Sequence, residues 1–221
     1  MTFRPDYISF DCYGTLINYQ AGDMAREIFA DRIPADQMQQ FLTDFTAYRF
    51  DEVLGPWQPL GSVLKNALRR LCKKWKLQYI DAEAQSICNA VKTWGPHPDT
   101  VAGLKKIADK IPLVILSNAD DHDILHNVKL LEAPFHRVYT AEQAQAYKPR
   151  LQAFEYMLDS LGVGPEKILH VSSSLRYDLM SADDIGIHNK VFVNRGHGPA
   201  HPHYRFTEIA DIGGLAGVVG L

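Results

Sequence analysis

A chain of 221 residues has room for one sizeable domain, or for a core that carries an insertion. Hydrophobic residues at 46% and charged residues at 22% exclude a disordered chain or a fibre, and a net charge of -3 with mixed signs offers no basic field for nucleic acid and no polybasic stretch for a membrane surface. No apolar run reaches membrane-spanning length and the start, MTFRPDY, lacks the apolar stretch of a secretion signal, so a cytoplasmic protein acting on a small molecule is expected.

The first strand-forming run, YISF (7–10), delivers Asp11 into the turn CYGT. A carboxylate at the exit of a buried strand is costly unless it is hydrogen-bonded or used in chemistry. Cys12 reads as a small buried residue whose backbone N–H matters more than its sulfur, since its side chain points away from that of Asp11. With Cys72 and Cys88 it makes an odd set without the spacing of a metal or disulfide framework, so reduced thiols are expected. Residues 19–92 contain the helical patterns MAREIFADRI, ADQMQQFLTDFTAYRF and SVLKNALRRLCKKWKL, punctuated by GPWQPLG, and no convincing strand. This segment is expected to be a helical cap inserted after the first strand.

The stretch GPHPDT (95–100) restarts the core, with Asp99 or Thr100 as N-cap. The runs LVILSN (113–118), RVYT (137–140), ILHVSS (168–173) and KVFVNR (190–195) then alternate with the helical patterns DTVAGLKKIADK, HDILHNVKLL and RLQAFEYMLDSLG. Such alternation predicts an α/β core with a parallel sheet, built from 1–18 and 93–221. Its ligand site belongs at the carboxyl ends of the strands, where Asp11, Ser117, Asn118 and Ser172 to Ser174 fall. His170, inside an apolar strand, reads as a satisfied core residue. The tail RGHGPAHPHY gathers His197, His201 and His203 without metal-ligand spacing and reads as a surface loop after the last strand. Trp57 and Trp94 read as packing residues.

Four motifs in order, FDCYGTL (10–16), LSN (116–118), YKP (147–149) and VSSSLRYD (171–178), resemble those of the haloacid dehalogenase superfamily over nearly the full chain. The resemblance implies a Rossmann-like parallel-sheet core with a helical cap. Its phosphatases carry a second acid two residues after the first Asp and a Gly-Asp pair in the last motif that helps hold magnesium. Tyr13 and the Ser172-Ser173 pair occupy those places here, so neither metal nor cofactor is expected.

A first motif of the form D-x-Y-G-T is similar to that of the L-2-haloacid dehalogenase branch. In that branch the resemblance implies that Asp11 attacks C2 of a small carboxylic acid and forms an ester, which water then opens. Lys148, Thr15 and Ser117 orient Asp11, while Asp178 with Ser173 or Ser174 positions the water. Substrate oxygens are expected to meet the hydroxyls of Thr15 and Ser117, the Asn118 amide, and backbone N–H groups near Cys12 and Asn118, with Tyr13 beside them in the substrate site. The branch has a halide-binding Arg where this chain has Phe41, with Arg49 about two turns along as the substitute. It has Tyr where this chain has Phe154, and Asn where Ser174 stands in a last motif one residue longer. The alternatives are a ring-opening hydrolase similar to azetidine-2-carboxylate hydrolase, a magnesium-dependent phosphatase, and a non-catalytic ligand-binding homologue. Dimerisation through the cap would also resemble the branch.

Overall fold

The computed structural model describes residues 3–198 and 201–221, so Pro199 and Ala200 of the predicted tail loop lie outside the described residues. The chain divides into two compact units, one built from the residues up to Asn18 together with Gly95–Leu221, the other from Tyr19–Trp94.

In the larger unit, β1 (Tyr7–Phe10) is the first strand of the sheet. The smaller unit follows with four helices, α1 (Ala21–Phe29), α2 (Met38–Leu54), α3 (Leu60–Lys74) and α4 (Asp81–Ala90). Helix α3 buries Leu60, Val63, Leu64, Ala67, Leu68 and Leu71, the i, i+3, i+4, i+7 stripe of an amphipathic helix. Phe41 on α2 is fully buried between the rings of Phe29 (4.8 Å) and Trp75 (5.4 Å). Its burial is worth roughly 2–3 kcal/mol, which makes Phe41 a packing residue of this unit. Asp44, buried beside it, accepts from Gln40 Nε2 and Trp75 Nε1 and pairs with Lys74 at 2.7 Å.

Past residue 94 the chain alternates helix and strand. The order is α5 (Thr100–Lys105), β2 (Leu113–Ser117), α6 (Asp121–Leu130), β3 (Phe135–Thr140), α7 (Ala141–Ala144), α8 (Leu151–Leu161), β4 (Ile168–Ser172), α9 (Met180–Asp184), β5 (Asn189–Val193), β6 (Thr207–Ile209) and α10 (Leu215–Val218). Among the described residues the sheet has six parallel strands in the order β3-β2-β1-β4-β5-β6. Strands β2 and β4 are buried along their whole length, which is why they read as continuous apolar runs. The expectation that KVFVNR is the last strand is corrected by β6, a three-residue edge strand with two exposed residues and little apolar signal.

Asp99 does flank α5, but its carboxylate does not cap the helix; it binds Arg195 instead, and the Thr100 hydroxyl donates to the Leu16 carbonyl. A Cβ on Gly103 of α5 would lie 2.7 Å from the Ile212 carbonyl carbon, so only glycine lets the C-terminal segment lie against this helix. No described helix is long and apolar enough to cross a membrane.

Candidate active site

The central strand β1, flanked by β2 and β4, ends at Asp11, whose N–H donates to the Val171 carbonyl. Ser117 closes β2, Lys148 follows α7, and Asp178 lies on a π-helical turn (Leu175–Leu179) after β4. These elements converge at the carboxyl ends of the strands, where a parallel sheet places its ligands.

Lys148 is the centre of the cluster. Its ammonium donates to Asp11 Oδ1 (2.9 Å), Asp178 Oδ1 (2.6 Å) and the Leu116 carbonyl (2.7 Å), which engages all three of its protons. The peptide between Lys148 and Pro149 is cis. Thr15 Oγ1 donates to Asp11 Oδ2 at 2.6 Å, so both oxygens of Asp11 are oriented. Asp178 Oδ1 also meets His170 Nε2 at 3.0 Å, whereas Asp178 Oδ2 has no hydrogen-bond partner among the described residues. Ser117 Oγ, equally buried, has none either.

Two carboxylates share one buried cation, and they share it unequally. Burial pushes the Asp11 carboxyl above the ordinary carboxylate range; Lys148 opposes the shift and the charge of Asp178 adds to it. Burial acts on Asp178 in the same direction, but Lys148 and His170 outweigh it and hold that carboxyl low. For Lys148, burial works against the charged form and the two carboxylates more than restore it, so its pKa is raised. The Cys12 thiol is raised by burial and by the adjacent Asp11, which keeps it a protonated packing group.

Several residues stand in other roles than those the sequence suggested. The Asn118 side chain is a two-point clamp on Lys148: Nδ2 donates to the Lys148 carbonyl (2.8 Å) and Oδ1 accepts its N–H (2.7 Å). Its amide thus positions the lysine. Asn118→Ala is therefore expected to lower kcat by about 10²-fold through misplacement of the ammonium, checked by steady-state kinetics with the fold monitored by circular dichroism. The hydroxyl of Ser173 donates to the Gly14 carbonyl (3.0 Å), and that of Ser174 caps the π-helical turn by accepting the Tyr177 N–H (3.1 Å). Both brace the backbone around the cluster; the Ser173 proton is engaged by Gly14, while the Ser174 hydroxyl accepts from Tyr177 and keeps its own proton. Tyr13 donates its hydroxyl to Asn127 Oδ1.

Phe154 on α8 is fully buried in an apolar cluster with Leu116, Met157 and Ile168, and its ring meets His170 at 5.3 Å edge to face. Arg49 belongs to the helical unit, where its guanidinium lies over Phe45 (4.9 Å) and Tyr19 (5.4 Å) and donates to Thr46 Oγ1; its buried Nε has no partner among the described residues. His170 is satisfied at both ring nitrogens, as expected of a core residue, but its partner Asp178 makes it part of the site. The apolar pattern of β4 gave no signal of that contact. Among the described residues no three His, Cys, Asp or Glu side chains gather as metal ligands.

The model of the haloacid dehalogenase-like hydrolases matches residues 5–186, a stretch containing every group of the buried cluster. The chain belongs to this hydrolase family. It is 27% identical over 211 residues to (S)-2-haloacid dehalogenase 4A of Burkholderia cepacia, covering 90% of this chain and 87% of that protein. In fold it is similar to the L-2-haloacid dehalogenase RSc1362 (TM-score 0.83, 22% identity, 99% and 100% of the two chains). It is likewise similar to the L-2-haloacid dehalogenase of Xanthobacter autotrophicus solved with chloropropionic acid covalently bound (TM-score 0.77, 18% identity, 98% of each chain).

In this haloacid dehalogenase-like hydrolase the turn after Asp11 is held from the far end of the chain. Gly14 has φ +92, a conformation that favours glycine, and its carbonyl faces Ser173 Oγ, His97 Nε2 (3.3 Å) and His197 Nε2 (3.1 Å). Arg195 donates to the Thr15 carbonyl through Nε and Nη2 and grips Asp99 at 2.6 and 2.9 Å, while Asp99 Oδ2 also accepts the Ile212 N–H.

Proposed function

We propose that the protein is a cytoplasmic, metal-independent (S)-2-haloacid dehalogenase. The observation that carries the reading is the Asp11 carboxylate, fixed by Lys148 and Thr15 at the end of β1, with Tyr13 where a phosphatase would need a second acid. The name of the Burkholderia relative supports it. A hard divalent cation takes about six oxygen ligands. Asp11 and Asp178 already share the Lys148 ammonium and the Ser173 hydroxyl is bound to Gly14, so these residues do not fit a magnesium site.

In the first step an Asp11 oxygen attacks C2, and the carbon–halogen bond breaks with its electron pair leaving on the halide and C2 inverting. Ser117 Oγ, buried and unengaged, is a donor for the substrate carboxylate. In the second step water attacks the Asp11 carboxyl carbon as Asp178 Oδ2 takes its proton. Collapse breaks the ester bond to Asp11, the proton passes from Asp178 to the departing oxygen, and a 2-hydroxy acid forms. Asp11 then releases a proton to solvent, so each turnover yields one halide and one proton.

The test is a single turnover of L-2-chloropropionate in heavy-oxygen water with a metal chelator present, followed by mass analysis of the peptide that contains Asp11. Heavy oxygen in Asp11 with chloride release is expected; turnover that requires magnesium and liberates phosphate from an ester would sink the reading. The pH profile is a second check. Because burial raises the Asp11 carboxyl, kcat/KM should rise along an acid limb above the ordinary Asp range, and because Lys148 is raised the plateau should extend beyond the ordinary lysine range.

A further inference from the structure

His170 and Ser9 face each other across β4 and β1 as direct partners in the strand register, and both are fully buried. Ser9 Oγ lies 2.8 Å from His170 Nδ1, and His170 Nε2 lies 3.0 Å from Asp178 Oδ1. The ionised Asp178 oxygen only accepts, so Nε2 carries the proton and the Ser9 hydroxyl completes the pair at Nδ1. Phe154 meets the imidazole edge to face and fixes its plane. The result is a row running Ser9, His170, Asp178, Lys148, Asp11, in which every contact except that at Asp178 Oδ2 is filled.

We propose that His170, held by Ser9, is a positioning residue for the hydrolytic half of the reaction: it locks the Asp178 carboxylate so that Oδ2 stays turned to the ester. The inference rests on the aspartyl-ester reading and adds a division of labour to it. Lys148 serves both carboxylates, and so both steps; of the two carboxylates His170 is bonded to Asp178, and so serves the second. A lysine alone would leave Asp178 free to rotate about its one contact and to exchange which oxygen it presents. The second donor on the same oxygen removes that freedom. The contact also contributes to holding the Asp178 carboxyl low, which keeps it available as a base.

The experiment follows ester formation and ester hydrolysis separately, by quenched flow and mass analysis of intact protein with L-2-chloropropionate, in wild type, His170→Phe, His170→Gln and Ser9→Ala. His170→Phe is expected to form ester at a rate within a few-fold of wild type and to hydrolyse it about 10²-fold more slowly, so that the adduct accumulates. Its hydrolysis step should also show an acid limb moved to higher pH, because Asp178 loses a contact that lowers its pKa. His170→Gln, which keeps an N–H near the Nε2 position, should recover much of the loss, and Ser9→Ala should show a smaller slowing of the same step. Ser9→Ala decides the matter if His170→Phe does not fold. Hydrolysis unchanged in the folded variants, or both steps slowed equally, overturns the inference while leaving the ester mechanism in place. Wild type that forms no Asp11 ester overturns the mechanism itself and the inference with it.

Discussion

Asp11→Asn is expected to abolish turnover, by 10⁴-fold or more as for other covalent nucleophiles, without lowering the melting temperature at neutral pH. The two halves of this expectation come from the same geometry. On the proposed reading the Asp11 carboxylate forms the ester, and it is also the disfavoured member of a cluster with two anions and one cation. Because burial raises its pKa above the unfolded value, Asp11 contributes stability that is fully present below the ordinary carboxylate range and lost as pH rises through the raised value. Above the raised value the ionised side chain therefore weighs against the fold, and the amide removes that burden while Lys148 keeps Asp178 as its partner. Thermal melts of both proteins across pH should converge on acidification, where wild-type Asp11 becomes neutral as well. A variant that melts well below wild type at neutral pH contradicts this account of the cluster.

Lys148→Met is expected to be the most damaging single change to stability. It leaves Asp11 and Asp178 buried without their cation and orphans the Leu116 carbonyl. Removing one partner of a buried ion pair costs about 3–5 kcal/mol. For a chain of this size each kcal/mol moves the melting temperature by roughly 2–4 °C, so a drop of about 6–20 °C is expected. Activity should disappear with it. Lys148→Arg should not rescue, since a planar guanidinium cannot offer three converging protons to Asp11, Asp178 and Leu116. The double variant Asp11→Asn with Lys148→Met should regain part of the lost stability, because one of the orphaned charges is gone. Calorimetry on the four proteins closes the cycle, and additive losses would show that the pair is not coupled.

The parallel core was legible because strands buried on both faces leave short β-branched runs, and those runs matched β1 to β5 closely. Strand β6 was not, since an exposed three-residue edge leaves little apolar pattern. At the site, motif order singled out Asp11, Lys148 and Asp178, each just beyond a readable element, and their side chains meet in one hydrogen-bonded cluster. The duties of Asn118, Ser173 and Ser174 could not, because they are decided by which backbone group lies within hydrogen-bond reach after folding. His170 was hidden for a related reason. Its meaning depends on Ser9 lying opposite it in the sheet, a pairing between positions 161 residues apart that no local pattern encodes.

Arg195 has a consequence for where the working molecule ends. The stretch that marks family membership stops at residue 186, yet the carbonyl of Thr15 is gripped from nine residues beyond it, and the anchor of that grip, Asp99, is itself tied to residue 212. The charged cluster thus lies within residues 5–186 and the turn after Asp11 is tensioned from beyond them, like a string stopped at one end and tuned at the other. A fragment cut to the motif-bearing stretch would keep all three charged groups of the cluster and lose the peg that holds the turn after Asp11 in place. For transplanting or minimising this catalyst, the indivisible part is the α/β unit carried through to the C-terminal segment that lies against α5.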